Sequence, residues 1–384
     1  MDYKQQQRRI ADIAAFYADD YAQRQGAMSP PIYQSSIFVP LDPPNPFHYT
    51  RVSNPTIEIG EKKIAKMENG EQALFVSSGM SAISLAILTC VSAGGHIVTL
   101  NNVYPGSMSQ FEYLKTLNIS VSHVRGTHIE DFEVALRPNT QLLYLESPSS
   151  YMFEIQDLEE VVRLARHRGI KTMIDNSWAT PVFQNPLDFG IDLVVHSISK
   201  YIGGHSDLIA GTLIGREEEL MQKAAGIRSN FGFVMDPHQA WLVVRGIRSL
   251  ALRMEKHRDN SLKVASFLES HPCIAEVIHP GLPSYPQKKL AEKYLYGSSG
   301  LFSFTTKGTL EQSRNAVQDT SIFQKTVSWG GYDSLLSAYG CSSKESAATN
   351  HVKAGLIRAS IGLESPESLM EALDEALRKN VKTN

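Results

Sequence analysis

The chain has 384 residues, 42% hydrophobic and 20% charged, and 37 Lys+Arg against 40 Asp+Glu leave a net charge of −3. That length suits two or three domains with a core that needs no covalent staples, and the balanced charge argues against a general nucleic-acid binder. Cys90, Cys273 and Cys341 lie far apart with no Cys-x-x-Cys or zinc spacing, so no metal site is expected and a reduced cytoplasm fits best. The polar start is followed by no apolar signal region, and the longest apolar stretch, 82–91, is too short for a bilayer, so no membrane partner is expected.

Residues 1–25 are polar, with Ile10, Ile13, Phe16 and Tyr17 in a weak helical pattern. Six of the 18 prolines fall between Pro30 and Pro46. Proline fixes φ and disfavours helix before it, so this stretch is expected to be extended. Ile32, Tyr33, Ile37, Phe38, Val39 and Phe47 make it too apolar for a solvated tether. Residues 1–45 therefore read as an ordered arm against a neighbouring subunit. Tyr49 and Arg51 follow it, and both side chains can bind phosphate oxygens; an Arg paired with an internal acid is an equal reading.

From 60 to 215 short apolar runs alternate with helical ones. Residues 73–76 read as a buried strand and 80–91 as the helix after it, joined by Ser77-Ser78-Gly79-Met80. Free amides at a helix N-terminus favour a phosphate, and glycine allows close approach. No Gly-x-Gly-x-x-Gly or P-loop pattern occurs, so dinucleotide and P-loop binding are disfavoured. Residues 96–100 form the next strand candidate, followed by Tyr104-Pro105-Gly106; this ring can stack on a flat cofactor or simply close a turn. Residues 142–145 are another strand, and Asp157 with Glu160 form a capping-box pattern for a helix that stops at Gly169.

Strands at 171–174 and 193–195 lead to the most informative residues. The second runs into His196-Ser197-Ile198-Ser199-Lys200, and the first ends in Asp175. A lysine in a desolvated site loses part of its preference for charge and becomes the nucleophile that Schiff-base chemistry needs. An acid opposite a pyridine nitrogen keeps that nitrogen protonated. Alone, the lysine is ordinarily solvated and the aspartate an N-cap; together at neighbouring strand ends they point to a cofactor. Ser197 and Ser199 can close the phosphate site. Strand–helix alternation implies an α/β fold, a mostly parallel sheet covered on both faces with its ligand at the carboxyl ends of the strands.

After Pro237 the spacing predicts one long helix over 240–257, carrying Arg245, Arg248 and Arg253. Strands at 301–304 and 356–361 suggest a smaller α+β domain, closed by a helix that Ser365-Pro366 starts. Ser328-Trp329-Gly330-Gly331 and Arg358 are the last candidates. An Arg inside an apolar strand needs a partner, either a substrate carboxylate held bidentately or an internal acid.

Five segments carry a family resemblance, in order: Tyr49-x-Arg51-x-x-Asn54-Pro55-Thr56, Ser78-Gly79-Met80, Asp175-Asn176-Ser177-Trp178, His196 to Asp207, and Arg358-Ala359-Ser360-Ile361-Gly362. Across residues 28–375 the chain resembles the cystathionine γ-synthase/cystathionine β-lyase family, the pyridoxal phosphate enzymes of Cys/Met metabolism. The resemblance implies fold type I, with a cofactor-binding domain at 46–245 and a substrate domain at 246–384. It implies that Lys200 holds the cofactor and that Asp175 partners its ring nitrogen. Tyr104 stacks on the ring, and with Lys200 it is an expected catalytic residue. Gly79, Met80, Ser197 and Ser199 take the phosphate, Tyr49 and Arg51 reach the phosphate of a neighbouring subunit in a homotetramer, and Arg358, with Ser328 and Trp329 beside it, binds substrate.

The segments 297–304 and 328–335 look like the enterobacterial type of cystathionine β-lyase. Ser150 stands where many members have an asparagine that contacts the cofactor's phenolic oxygen, and no cysteine follows Tyr104 as in most methionine γ-lyases. The expected reaction is β-elimination of cystathionine, with chemistry at Cγ as the alternative and a binding protein that has lost activity as a third reading.

Overall fold

A short apolar run hides both faces only if helices cover both, and residues 72–215 meet that demand with a seven-stranded sheet. The computed structural model describes residues 2–21, 25–42, 44–349 and 351–382; Pro43, one of the arm's prolines, lies outside them. The sheet comprises β1 (Gln72–Val76), β2 (His96–Leu100), β3 (Ser120–Val124), β4 (Thr140–Glu146), β5 (Lys171–Asp175), β6 (Leu193–Ser197) and β7 (Gly211–Gly215). Its order is β1-β7-β6-β5-β4-β2-β3. β7 runs antiparallel to both neighbours and every other pair is parallel. Register sets Glu146 of β4 beside Asp175 of β5, and Asp175 beside Val195 of β6.

The helices between these strands start and stop where the sequence marks them. Gly79–Cys90 begins at Ser78, whose hydroxyl accepts from Ser81 N at 3.0 Å. Leu158–Arg168 begins at Asp157, which accepts from Glu160 N at 3.2 Å, and ends at Gly169 with φ of 66°. Only this N-cap half of the expected capping box forms.

A second sheet holds β8 (Ile274–Ile278), β9 (Leu301–Thr306), β10 (Gln324–Lys325), β11 (Leu335–Ser337) and β12 (Ile357–Ser360), in the order β10-β11-β12-β9-β8. Phe302, Phe304, Ile357 and Ala359 build its core with Leu369, Leu373 and Leu377 of the closing helix Pro366–Asn380. Ser365 occupies the N-cap of that helix, but its hydroxyl donates to Glu367 at 2.6 Å instead of capping the backbone.

One expectation is corrected. The helix expected over 240–257 is two helices, Pro237–Arg248 and Leu250–Ser270, broken at Ser249. Apolar periodicity continues across the break, so sequence spacing does not register it. The break lets Arg253 reach back to Gly246 O at 2.7 Å while it also donates to Tyr201 O at 2.5 Å and Ile202 O at 3.2 Å.

The helix Tyr3–Phe16 packs on its own chain: Ile10 is buried, and Gln6 donates to Pro181 O and Asn185 Oδ1. The Pro-rich stretch is extended, as its prolines require. It carries one isolated bridge, Ile37 to Tyr49, and leaves Ile37 and Val39 exposed. Among the described residues no helix is long and apolar enough to cross a membrane.

Candidate active site

The carboxyl ends of β4, β5 and β6 open into a cavity of about 560 Å³. Lys200 enters it from the turn after β6, where its backbone N–H donates to Ser197 O at 3.1 Å. Its Nζ donates to Ser328 Oγ at 3.0 Å and lies 5.5 Å from the centre of the Trp329 ring. The loop that brings Ser328 and Trp329 this close needs Gly330: its φ is +84°, and a Cβ there would meet Tyr201 N at 2.8 Å and Lys200 Cα at 3.0 Å. The buried Arg253 holds the two carbonyls that follow Lys200, so the nucleophile stands on a fixed backbone.

Asp175 faces the same cavity, its Oδ1 accepting from Ser177 N at 2.9 Å. Ser177 Oγ accepts from Ser197 N at 2.6 Å, which ties the ends of β5 and β6 together. Gly79 starts its helix directly against Ser197, and a Cβ on it would lie 2.8 Å from Ser197 Cβ. Ser199 Oγ is engaged in both directions with Ala210, accepting from its N–H at 2.9 Å and donating to its carbonyl at 3.2 Å. Tyr104, 45% exposed, begins the helix Pro105–Leu114, and its N–H donates to Glu146 Oε2 at 2.8 Å.

Burial lowers the proton affinity of the Lys200 amine below that of an ordinary lysine; the Arg358 charge adds to the effect and Asp175 opposes it. Burial raises the Asp175 carboxyl, and the bonds from Ser177 hold it back. Burial and then the neighbouring Asp175 raise Glu146 to about 8, against hydrogen bonds from Ser150 and Tyr104 N and the charge of Arg358.

Of the twelve residues singled out from sequence, nine line this cavity: Gly79, Met80, Tyr104, Asp175, Ser197, Ser199, Lys200, Ser328 and Trp329. Three do not. Arg358 is buried in β12, where its guanidinium donates to Val327 O and lies 4.8 Å from the centre of the Tyr151 ring. Among the described residues no acid forms an ion pair with it, and the acid whose charge acts on it is Glu146. Arg51 donates to Ser229 O at 3.0 Å with its own Tyr49 ring 5.4 Å away, and both side chains are exposed outside the cavity.

Comparison with known proteins decides what this constellation belongs to. Residues 13–378 match the family described as Cys/Met metabolism PLP-dependent enzyme. The chain belongs to this family. It is 36% identical to L-methionine gamma-lyase of Porphyromonas gingivalis, over 92% of this chain and 93% of that one. It is equally, 36%, identical to cystathionine beta-lyase of Lactococcus lactis subsp. cremoris, over 92% and 95%. Its fold matches the crystal structure of cystathionine gamma synthase from Xanthomonas oryzae pv. oryzae in complex with aminoacrylate and cysteine. The TM-score is 0.92 at 32% identity, covering 97% of this chain and 98% of that one. The α/β arrangement is therefore that of fold type I, and the enzyme depends on pyridoxal phosphate.

The residues present fit that group. The cavity joins an amine on a fixed backbone, an acid at the adjacent strand end, and the start of a twelve-residue helix whose Gly79 packs so close to Ser197 that a Cβ on it would meet the serine side chain. Ser197 Oγ has no hydrogen-bond partner among the described residues and is available to a phosphate.

Sequence reading missed Glu146, Ser177 and Arg253. Glu146 carried a usable signal, because it closes an apolar strand with an acid just as Asp175 does. Ser177 follows Asp175 by two residues, the spacing of a local carboxylate-to-backbone turn. Arg253 had no signal, since it sits among other basic residues of a helical pattern.

Proposed function

We propose that this enzyme is a carbon–sulfur lyase that cleaves L-cystathionine by β-elimination to homocysteine, pyruvate and ammonia. The observation that carries the reading is the placement of Lys200: one cavity sets its amine 3.0 Å from Ser328 Oγ and against the Trp329 ring, opposite Asp175. Pyridoxal phosphate, when bound, supplies an electron sink for a carbanion at the substrate's α-carbon.

The chain's own groups do the rest. Lys200 Nζ would anchor the cofactor covalently and, once displaced by the substrate amine, remove the α-proton; its lowered proton affinity suits a base. Asp175 would hold the proton on the ring nitrogen. The Gly79 and Met80 amides with the Ser197 hydroxyl would bind the phosphate, joined by the Ser199 hydroxyl once its proton turns from Ala210 O, and Tyr104 would cover the ring. Arg358, turning from Val327 O, would fix the substrate carboxylate, and Trp329 would shelve the thioether. The Cβ–S bond then breaks with its electron pair leaving on sulfur, which takes a proton. The three-carbon remainder is hydrolysed to pyruvate and ammonia.

Elimination at Cγ is the second reading, favoured by the likeness to a protein named L-methionine gamma-lyase. The same lysine can also take the further proton, from Cβ, that this route needs. Product analysis with L-cystathionine separates the two. Pyruvate and homocysteine are expected; 2-oxobutanoate and cysteine would replace the β-reading with the γ-reading.

A division into arm 1–45, cofactor domain 46–245 and substrate domain 246–384 accompanies this reading, as does a cytoplasmic homotetramer. Its sites would be shared, Tyr49 and Arg51 reaching the phosphate of the adjacent subunit. Supporting this, the arm leaves Ile37 and Val39 exposed at 63% and 68%, and Ile37 is bridged to Tyr49.

A further inference from the structure

The cavity holds a second acid to which the proposed reaction gives no task. Glu146 closes β4 where Asp175 closes β5, paired directly across the ladder. It is 9% exposed and lines the cavity. Its Oε2 accepts from Tyr104 N at 2.8 Å, and its Oε1 is hydrogen-bonded to Ser150 Oγ. Tyr104 begins its helix without a side-chain cap, so Glu146 is what holds the N–H at that end. Two ionised carboxylates at paired strand ends repel strongly in a site shielded from water.

We propose that Glu146 is a positioning residue that keeps a proton of its own beside Asp175 while it clamps Tyr104 and Ser150 to the cavity wall. The inference rests on the proposed reading of Lys200 and Asp175 as the cofactor's partners. A ring nitrogen that keeps its proton holds Asp175 ionised, and the proton of the pair then stays on Glu146. With Oε1 protonated the Ser150 contact persists in the opposite sense, Oε1–H donating to Ser150 Oγ, while Oε2 still accepts from Tyr104 N.

The groups facing Glu146 are few. Asp175 comes from β5, Arg358 from β12, Tyr144 from its own strand and Tyr151 from the loop after it, with Lys200 acting on Asp175. Of these Asp175 is the acid that a protonated ring nitrogen would hold ionised, and Arg358 is engaged with Val327 O. Burial and Asp175 together place the Glu146 transition at about 8. Below it the residue is neutral. Above it a second negative charge appears next to Asp175 and favours retention of protons on the bound chromophore.

The test is a pH titration of the visible absorption band of the enzyme loaded with pyridoxal phosphate, with no turnover required. The wild type should show an inflection near pH ~8 from Glu146 that Glu146→Gln lacks, since an amide cannot ionise, and any proton loss from the chromophore itself should come at lower pH in the variant. Ser150→Ala removes a hydrogen bond that is stronger to the charged form than to the neutral one and should move the inflection up by about one pH unit. Superimposable titrations of wild type and Glu146→Gln, both carrying covalent cofactor, overturn the proposal. If Glu146→Gln does not fold, an unshifted inflection in Ser150→Ala overturns it. A wild type with no visible band refutes the cofactor placement at Lys200 itself, and this inference falls with it.

Discussion

One wall of the cavity is a row of strand ends and the other is a loop. Glu146 and Asp175 end ladder-paired strands, and Lys200 follows one directly, its backbone braced by Ser197 O and Arg253. Opposite them, Ser328 and Trp329 sit in a loop whose neighbours Val327 and Tyr332 are 67% and 56% exposed. A strand end is fixed by its ladder, so its side chain lands within a narrow tolerance; an exposed loop can change without unfolding the domain. The strand-end wall thus suits chemistry shared by a family, and the loop wall suits choice of substrate. That division fits the equal 36% identity to relatives named for different reactions.

The strand-end wall should give the largest effect. Lys200→Ala removes both anchor and base, so turnover should fall by ~10²–10⁴ or more. Borohydride reduction of the loaded enzyme and peptide mapping should find the adduct on Lys200, and an adduct on another lysine would dismantle this wall's assignment. Behind the loop wall, in β12, Arg358→Lys keeps the charge and loses the planar fork. Catalytic efficiency should drop roughly 10- to 100-fold, as for ~1.5–3 kcal/mol of charge-assisted bonding, while the visible spectrum stays unchanged. Unaltered efficiency would leave Arg358 as a brace for Val327 alone.

Arg51 belongs to neither wall of its own chain, so it asks whether a third comes from a neighbour. Arg51→Ala should release cofactor about 10-fold more readily, and mixing it with Lys200→Ala should regenerate some active sites. Proven subunit exchange without recovered activity would remove the shared site. A last effect falls on stability, in the second sheet that carries Arg358. His257 donates to Ile361 O just past β12, and His279 packs by Phe302 with Ser261 Oγ 3.2 Å away. Burial lowers both rings to about 4. With unfolded values near ~6.5, stability is unaffected above that pH. It declines as pH falls towards 4, because only the unfolded chain takes up the protons. Denaturant midpoints at pH 7 and 5 should show a loss of about 2 kcal/mol per ring at pH 5, and His279→Gln should shrink the decline; an equal decline in the variant would acquit that ring.

Seven of the twelve strands among the described residues and the central chemical pair were legible from the chain alone, whereas β3, β7, β8, β10 and β11 were not. An apolar run of four or five residues that stops at a polar side chain declares both a buried strand and what its end offers a ligand, which is why Lys200 and Asp175 could be paired without coordinates. The Ser78-Gly79 junction was legible for the same reason, since local caps act over three residues. Other features depended on which distant segments meet. The antiparallel β7 between β1 and β6 brings Gly79 against Ser197, and no local pattern encodes that neighbour. The break at Ser249 goes with Arg253 reaching carbonyls beside Lys200, some fifty residues upstream. Arg358 read as a lone cation in a strand, yet its present partners, Val327 O and the Tyr151 ring, come from two other loops. Glu146 became more than a strand-end acid only through register, because the strain of two adjacent carboxyl groups exists only when β4 and β5 lie side by side. Local propensity and periodicity are written in consecutive residues, whereas desolvation and charge pairing are properties of a neighbourhood that only tertiary packing creates.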